Sequence, residues 1–155
     1  TKRIAVLATE ATVKSKRLAQ LIATHAAGVH VEVVPCPGWA THVETLRPFT
    51  GEFRAEVAEK IEPLLAQGID RIVLGCTHYA FLAPIITPLI AERAELVDVA
   101  DAVARQVMRL AGEAGGRAML RLQATARPQR LQFALPMLGL TSLAERSVPA
   151  QLVSL

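Results

Sequence analysis

A chain of 155 residues with 52% apolar side chains and a mean hydropathy of +0.34 has the length of one ordinary domain and enough apolar surface to bury a core, which excludes a disordered chain. Aromatics make up only 4%, so that core must be built from Leu, Val, Ile and Ala, as α/β layers are. The net charge of +3 comes from scattered Lys and Arg, there is no run of 18 apolar residues, and Cys36 and Cys76 form no disulfide framework; nucleic-acid binding and a membrane span are unsupported, and a reducing cytoplasm is the simplest location.

Arg3 to Ala8 is apolar without alternation, as expected of a parallel strand covered on both faces. It ends in the turn Thr9-Glu10-Ala11-Thr12, and a helix follows Ser15 to about Ala27 with Leu18, Leu21 and Ile22 on one face. Thr9 and Thr12, beside the N–H groups of a helix start, suit either an anionic ligand or simple capping.

Val29 to Val34 is the next strand. It runs into Pro35-Cys36-Pro37-Gly38-Trp39, a loop whose prolines and glycine exclude a helix, and Cys36 reads there as structural or partly exposed. His42 and Glu44 follow on a short segment ended by Pro48. Thr50 to Gln67 is an amphipathic helix with Phe53, Val57, Ile61, Leu64 and Leu65 inward, bent near its end by Pro63 and stopped by Gly68.

Arg71 to Leu74 is a short buried strand that ends in Gly75-Cys76-Thr77-His78. Helix, break and strand make half of a βαβ unit, and open parallel sheets bind ligands beyond the carboxyl ends of their strands, where these residues fall. Cys76 and His78, two apart, lack the number and spacing of metal ligands. A cysteine at a strand end, next to an imidazole and a helix start, suits nucleophilic or proton-transfer work; equally, Cys76 fits a small core residue and His78 a helix-start residue.

Ala80 to Ala91 is apolar but interrupted by Pro84 and Pro88, which predicts a kink or two short helices. Glu95 to Val99 is a further strand carrying Asp98, and Ala102 to Ala114 a helix with Val103, Val107, Leu110 and Ala111 inward, broken by Gly115-Gly116. Arg117 to Thr125 reads as a strand, Arg127 to Leu138 as a helix and Ser147 to Leu155 as a last edge strand.

Leu74-Gly75-Cys76-Thr77-His78-Tyr79 closely resembles the second cysteine motif of glutamate racemases, and Leu7 to Ser15 resembles the segment that opens the second half of those enzymes. Val97-Asp98 and the tail from Ala124-Thr125-Ala126-Arg127-Pro128 to Leu140 are similar to the family's C-terminal region, so the resemblance covers nearly the whole chain. It implies an α/β fold with a mostly parallel sheet flanked by helices: residues 1–100 as the second α/β domain, and residues 101–155 as a segment that packs on a first domain. The implied activity is cofactor-independent racemisation of glutamate, L to D for peptidoglycan precursors, by two opposed cysteines. In that scheme Cys76 is the second cysteine, His78 its helper and Glu44 the carboxylate that orients His78. Thr77, Thr9 and Thr12 bind the amino-acid substrate, and Cys36 is not catalytic. No metal, membrane or nucleic acid is implied, and the full-length protein is expected to be a homodimer.

Two local departures stand out: Ala80 where a proline commonly follows the tyrosine, and Gly38 to His42, unlike the usual apolar stretch before the Glu. The family's first half, with its own cysteine, is missing and the chain starts at Thr1 rather than Met, so it reads as part of something longer and inactive alone. An aspartate or hydantoin racemase relative is the nearest alternative, although an acid commonly follows Cys-Thr in aspartate-type members and His78 favours glutamate. A one-cysteine isomerase or decarboxylase, or a catalytically silent domain that binds an amino acid or a protein, are the others.

Overall fold

The strand nearest the N-terminus is central to the sheet. In the computed structural model, which describes residues 1–112, 115, 120–147 and 149–154, β1 (Arg3–Ala8) lies between β2 (His30–Pro35) and β3 (Arg71–Leu74), and β4 (Glu95–Val97) pairs with β3. All three pairings are parallel, in the order β2-β1-β3-β4. Contacts divide the chain into two compact units, Thr1–Leu110 and Ala111–Leu155.

Helices connect the strands of the first unit. α1 (Glu10–Val13) and α2 (Lys16–His25) lead from β1 to β2, α3 (Trp39–Glu44) and α4 (Gly51–Ala66) from β2 to β3, and a 3₁₀ segment (Thr77–Leu82) with α5 (Ala83–Ile90) from β3 to β4. α4 and α5 pack together, and with the strand order β2-β1-β3-β4 the right-handed rule for parallel crossovers assigns α2 to one face of the sheet and α4 with α5 to the other.

Register decides which strand residues share a face: Ala5 stands beside Ile72 and Leu7 beside Leu74, and all four are buried. The alternate residues Ile4, Val6 and Val73 are half-buried. A sequence that does not alternate thus has alternating burial. α4 and α5 contribute Val57, Ile61, Leu64, Ile85 and Ile86 to the core, all buried, while α2 buries no residue and its Leu21 is exposed.

Local chemistry sets the element ends. Thr9, Ser15 and Thr50 cap α1, α2 and α4, each side-chain oxygen accepting a backbone N–H from the first turn. Ser15 therefore separates two helices where the sequence reads as a turn and one helix. α4 continues through Pro63 to Ala66. Trp39, expected in the loop, is the first residue of α3, because Gly38 at φ 81° takes the left-handed conformation that turns the chain into the helix. Pro84 sits in the first turn of α5 and Pro88 inside it, and the break falls earlier, where the 3₁₀ segment becomes α-helix.

α6 (Ala100–Ala111) corrects the expected inward face. Val103 and Val107 are each 59% exposed and Leu110 75%. Periodicity marks one face of a helix as apolar without saying what covers it.

In the second unit, β5 (Gln123–Ala124) and β6 (Gln151–Leu152) pair in parallel around α7 (Pro128–Met137) and α8 (Thr141–Arg146). Leu120 bridges Ser147, Leu135 is buried, and the Ala150 N–H donates to Gln132 Oε1 at 3.1 Å. The two expected strands shrink to these short pairings; residues 113, 114, 116–119, 148 and 155, where the ends of the expected helix and strands fall, lie outside the described residues.

One close approach fixes β1 against the end of β3. The Gly75 N–H donates to the Leu7 carbonyl at 2.8 Å, and a Cβ at Gly75 would stand 2.8 Å from that oxygen and 3.0 Å from Val6 Cγ1. Gly75→Ala is expected to lower the unfolding free energy by about 1–3 kcal/mol, as overpacking does. Gly51→Ala, in the first turn of α4 with nothing within 4 Å, should leave stability unchanged or raise it. Urea denaturation checks both, and equal midpoints would refute the close-approach argument.

Candidate active site

The sheet order places a crevice before any site residue is considered. From β1 the chain crosses to β2 on one side, and from β3 to β4 on the other, so the connections diverge between β1 and β3; ligands bind at the carboxyl ends of strands at such a point. Here the Cys36 N–H donates to the Ala8 carbonyl at 2.9 Å and the Gly75 N–H to Leu7, extending the ladder past the named strands on both sides of β1. Thr9 and Cys76 come next along their respective chains.

Cys76 is extended (φ −143°, ψ 138°) and only part-buried, and it opens the 3₁₀ segment. Its carbonyl accepts the Tyr79 N–H at 3.0 Å, and this tight turn brings His78 back over it, with Nδ1 3.9 Å from Sγ. The other ring nitrogen, Nε2, donates to Glu44 Oε2 at 2.8 Å. Glu44 is the last residue of α3, so a bond across 34 positions of sequence joins that helix to the turn after β3.

The carboxylate on Nε2 fixes the ring's roles. With Nε2–H engaged, Nδ1 faces the thiol as an acceptor in neutral imidazole and as a donor in imidazolium. His78 is 34% and Glu44 70% exposed. A pair that open to water contributes little to stability, so its consequence is orientation of the ring.

The threonines form a second pair. Thr9 Oγ1 accepts the Thr12 N–H at 3.3 Å and lies 2.9 Å from Thr12 Oγ1, directly after β1. An open groove along α2 begins at Thr12 and Ser15 and continues past Leu18 and Leu21. Thr77, between Cys76 and His78, is exposed. Cys76, His78 and Glu44 are thus one contacting cluster, with Thr9 and Thr12 at the end of the neighbouring strand.

Cys36 differs from Cys76 in every respect that governs thiol chemistry. It is 1% exposed, Sγ points at the Val34 carbonyl at 3.6 Å, and burial pushes its thiol up to about 12. It is wholly buried, without the part-exposed option open to it in the sequence.

Two residues that sequence reasoning left out hold this corner together. The Tyr79 hydroxyl donates to the Cys36 carbonyl at 2.9 Å inside the core, and burial raises its phenol well above the usual range. Trp39 packs edge-on against Tyr79, with ring centroids 5.7 Å apart, and both are fully buried. The signal was composition: the chain has one Trp and one Tyr, each in a segment that carries a candidate residue. Among the described residues no group of three or more His, Cys, Asp or Glu could hold a metal ion, and no helix is long and apolar enough to cross a membrane.

Comparison with known proteins gives the chain's family and fold. Residues 1–107 match the family model described as Asp/Glu/Hydantoin racemase. The glutamate racemase of Stutzerimonas stutzeri is 38% identical over 139 residues, 87% of this chain and 53% of that protein; that of Pseudomonas entomophila is 38% identical over 151 residues, 94% and 57%. The chain therefore spans about half the length of the curated relatives it matches. Among solved structures, the glutamate racemase isoform RacE1 from Bacillus anthracis shares the fold at a TM-score of 0.80 and 22% identity, over 99% of this chain and 58% of that one. Escherichia coli glutamate racemase, in complex with L-glutamate and the activator UDP-MurNAc-Ala, does so at 0.76 and 23%, over 99% and 59%. With the family model running from Thr1 through β4 and into α6, the chain belongs to the Asp/Glu/Hydantoin racemase family.

Proposed function

We propose that this chain supplies one acid/base of a cofactor-independent glutamate racemase, with Cys76 as the group that exchanges the α-proton. The observation that carries the reading is the continuous contact from Cys76 through His78 to Glu44 at the crevice between β1 and β3. An amino-acid α-proton is very weakly acidic, so its base must be held in contact and the developing carbanion stabilised. A thiolate is a suitable base, and a protonated His78 at 3.9 Å stabilises negative charge on Sγ, with Glu44 holding the ring in place. Thr9, Thr12 and Thr77 supply hydroxyls for the substrate's carboxylates and ammonium. Their position at the strand ends supports this role.

Inversion requires a second acid on the opposite face of Cα. Cys36 is unsuited to it, since its sulfur is buried against the Val34 carbonyl where no substrate can reach it. In this reading the second group comes from beyond the described residues, and the active molecule contains more than this cluster. Glutamate rather than aspartate is proposed because the relatives at 36–40% identity are named glutamate racemases.

Proton exchange at Cα of D- and L-glutamate in D₂O, followed by NMR with the complete gene product, tests the reading. We expect exchange of both enantiomers, with aspartate slower, and a fall of about 10²- to 10⁴-fold in Cys76→Ala, the range for loss of a general acid/base. A complete product that exchanges neither enantiomer of glutamate, or a fully active Cys76→Ala, would rule it out.

Thiol labelling is an independent check on the two cysteines. Of the two cysteines in this sequence, Cys76 is expected to be modified rapidly by iodoacetamide under native conditions at neutral pH, with that label absent from Cys76→Ala. Cys36 should react only on unfolding. Rapid native labelling of Cys36 would contradict its assignment as inert.

A further inference from the structure

We propose that Trp39 is a positioning residue for the His78–Glu44 pair, acting through its hydrogen bond to Glu56 and its contact with Tyr79. The inference rests on the proposed role of Cys76, His78 and Glu44, and concerns what keeps Glu44 within reach of His78. The 2.8 Å bond between them is exposed to water and, taken alone, too weak to hold two segments in register. The structure supplies the restraint in the layer beneath.

Trp39 begins α3 and Glu44 ends it, so the orientation of the indole fixes the whole six-residue helix. A helix this short has little stability of its own. The indole is fully buried and makes three contacts: edge-on to Tyr79 at 5.7 Å, edge-on to Phe53 at 6.4 Å, and an Nε1–H donated to Glu56 Oε1 at 2.9 Å. Phe53 and Glu56 both lie on α4, so the start of α3 is tied to a long, well-packed helix. Tyr79 immediately follows His78, and its hydroxyl bond to the Cys36 carbonyl ties the 3₁₀ segment to the strand end from which α3 departs. The indole therefore touches the neighbour of one member of the pair and begins the helix that carries the other.

The Nε1–H bond makes the tie directional. Packing alone would let the indole slide along Tyr79 and Phe53, whereas a buried N–H must keep its acceptor or lose its hydrogen bond altogether. Trp39→Phe removes the N–H and also trims a fully buried ring, so Glu56→Ala, which takes away only the acceptor, isolates the restraint.

The test reads the pair directly, in the protein as its gene encodes it. Two signals are followed: the carbon-bound Cε1–H resonance of His78 in ¹H–¹³C spectra, which does not exchange with water, and the rate of Cys76 alkylation at neutral pH. Glu44→Ala is the reference and should shift that resonance. Trp39→Phe and Glu56→Ala are each expected to broaden or shift that resonance toward its state in Glu44→Ala, and to slow alkylation by about 2- to 10-fold, the span of one hydrogen bond. The double variant should be no worse than either single one, and Glu56→Gln, which keeps an acceptor, should restore the wild-type signal. Glu56 is exposed, so its substitution leaves the core intact even where Trp39→Phe loosens it. If Glu56→Ala and Trp39→Phe only lower the melting temperature, with resonance and alkylation unchanged, the inference is overturned. If Glu44→Ala itself changes neither signal, the underlying role of the His78–Glu44 pair fails instead.

Discussion

The candidate site depends on how closely two strands approach at their ends. β1 and β3 can stay paired one residue beyond Leu74 only because Gly75 has no side chain to meet the Leu7 carbonyl. That pairing aligns the exits of the two strands, so Cys76 leaves β3 beside the point where Thr9 leaves β1. A bulkier residue would separate the exits and move the thiol relative to the threonine turn. The glycine before the cysteine is thus part of the site's geometry although it carries no chemistry.

A division of labour follows between surface and interior. The polar contacts that touch the crevice, His78 to Glu44 and Thr9 to Thr12, are partly or largely open to water and weak as sources of stability. The contacts that set their geometry are buried: Tyr79 to the Cys36 carbonyl, Trp39 on Tyr79, and the apolar row Ala5, Leu7, Ile72 and Leu74 beneath them. Buried hydrogen bonds have no water to replace a lost partner, so they resist displacement where exposed ones exchange freely. An open site can in this way keep a defined shape. The exposed groups remain available to a ligand while the layer below restrains them.

Much of this was legible in the sequence, and the limits have physical reasons. The four strands of the main sheet, the capping option for Thr9, and the stop at Gly68 follow from local chemistry and short periodicities. The grouping of Cys76, His78 and Glu44 was expected only through the family resemblance, since nothing local in the sequence brings Glu44 to His78 across 34 positions. Trp39 escaped notice because the prolines on either side of Cys36 made the whole stretch read as loop, whereas Gly38 reverses the chain in a single residue and lets a helix begin at once. The α6 face failed for a different reason. Its Val103, Val107 and Leu110 have the right spacing for a buried stripe, but spacing reports an amphipathic helix and is silent on whether a partner surface is present.

The two cysteines show why placement outweighs residue type. Both follow strands that flank β1, Cys36 bonded through its own N–H to the Ala8 carbonyl and Cys76 one residue beyond the bonded Gly75. Cys36 lies under Tyr79, and the surrounding core disfavours a charge on its sulfur strongly enough to hold the thiol protonated at any physiological pH. Cys76 follows the glycine that ends β3, part-exposed, with an imidazole turned toward it by a carboxylate on the ring's far side. Tyr79 is bonded to both: its hydroxyl donates to the Cys36 carbonyl, its backbone N–H donates to the Cys76 carbonyl, and it directly follows His78. One residue thus ties the loop of the buried thiol to the turn that carries the part-exposed one.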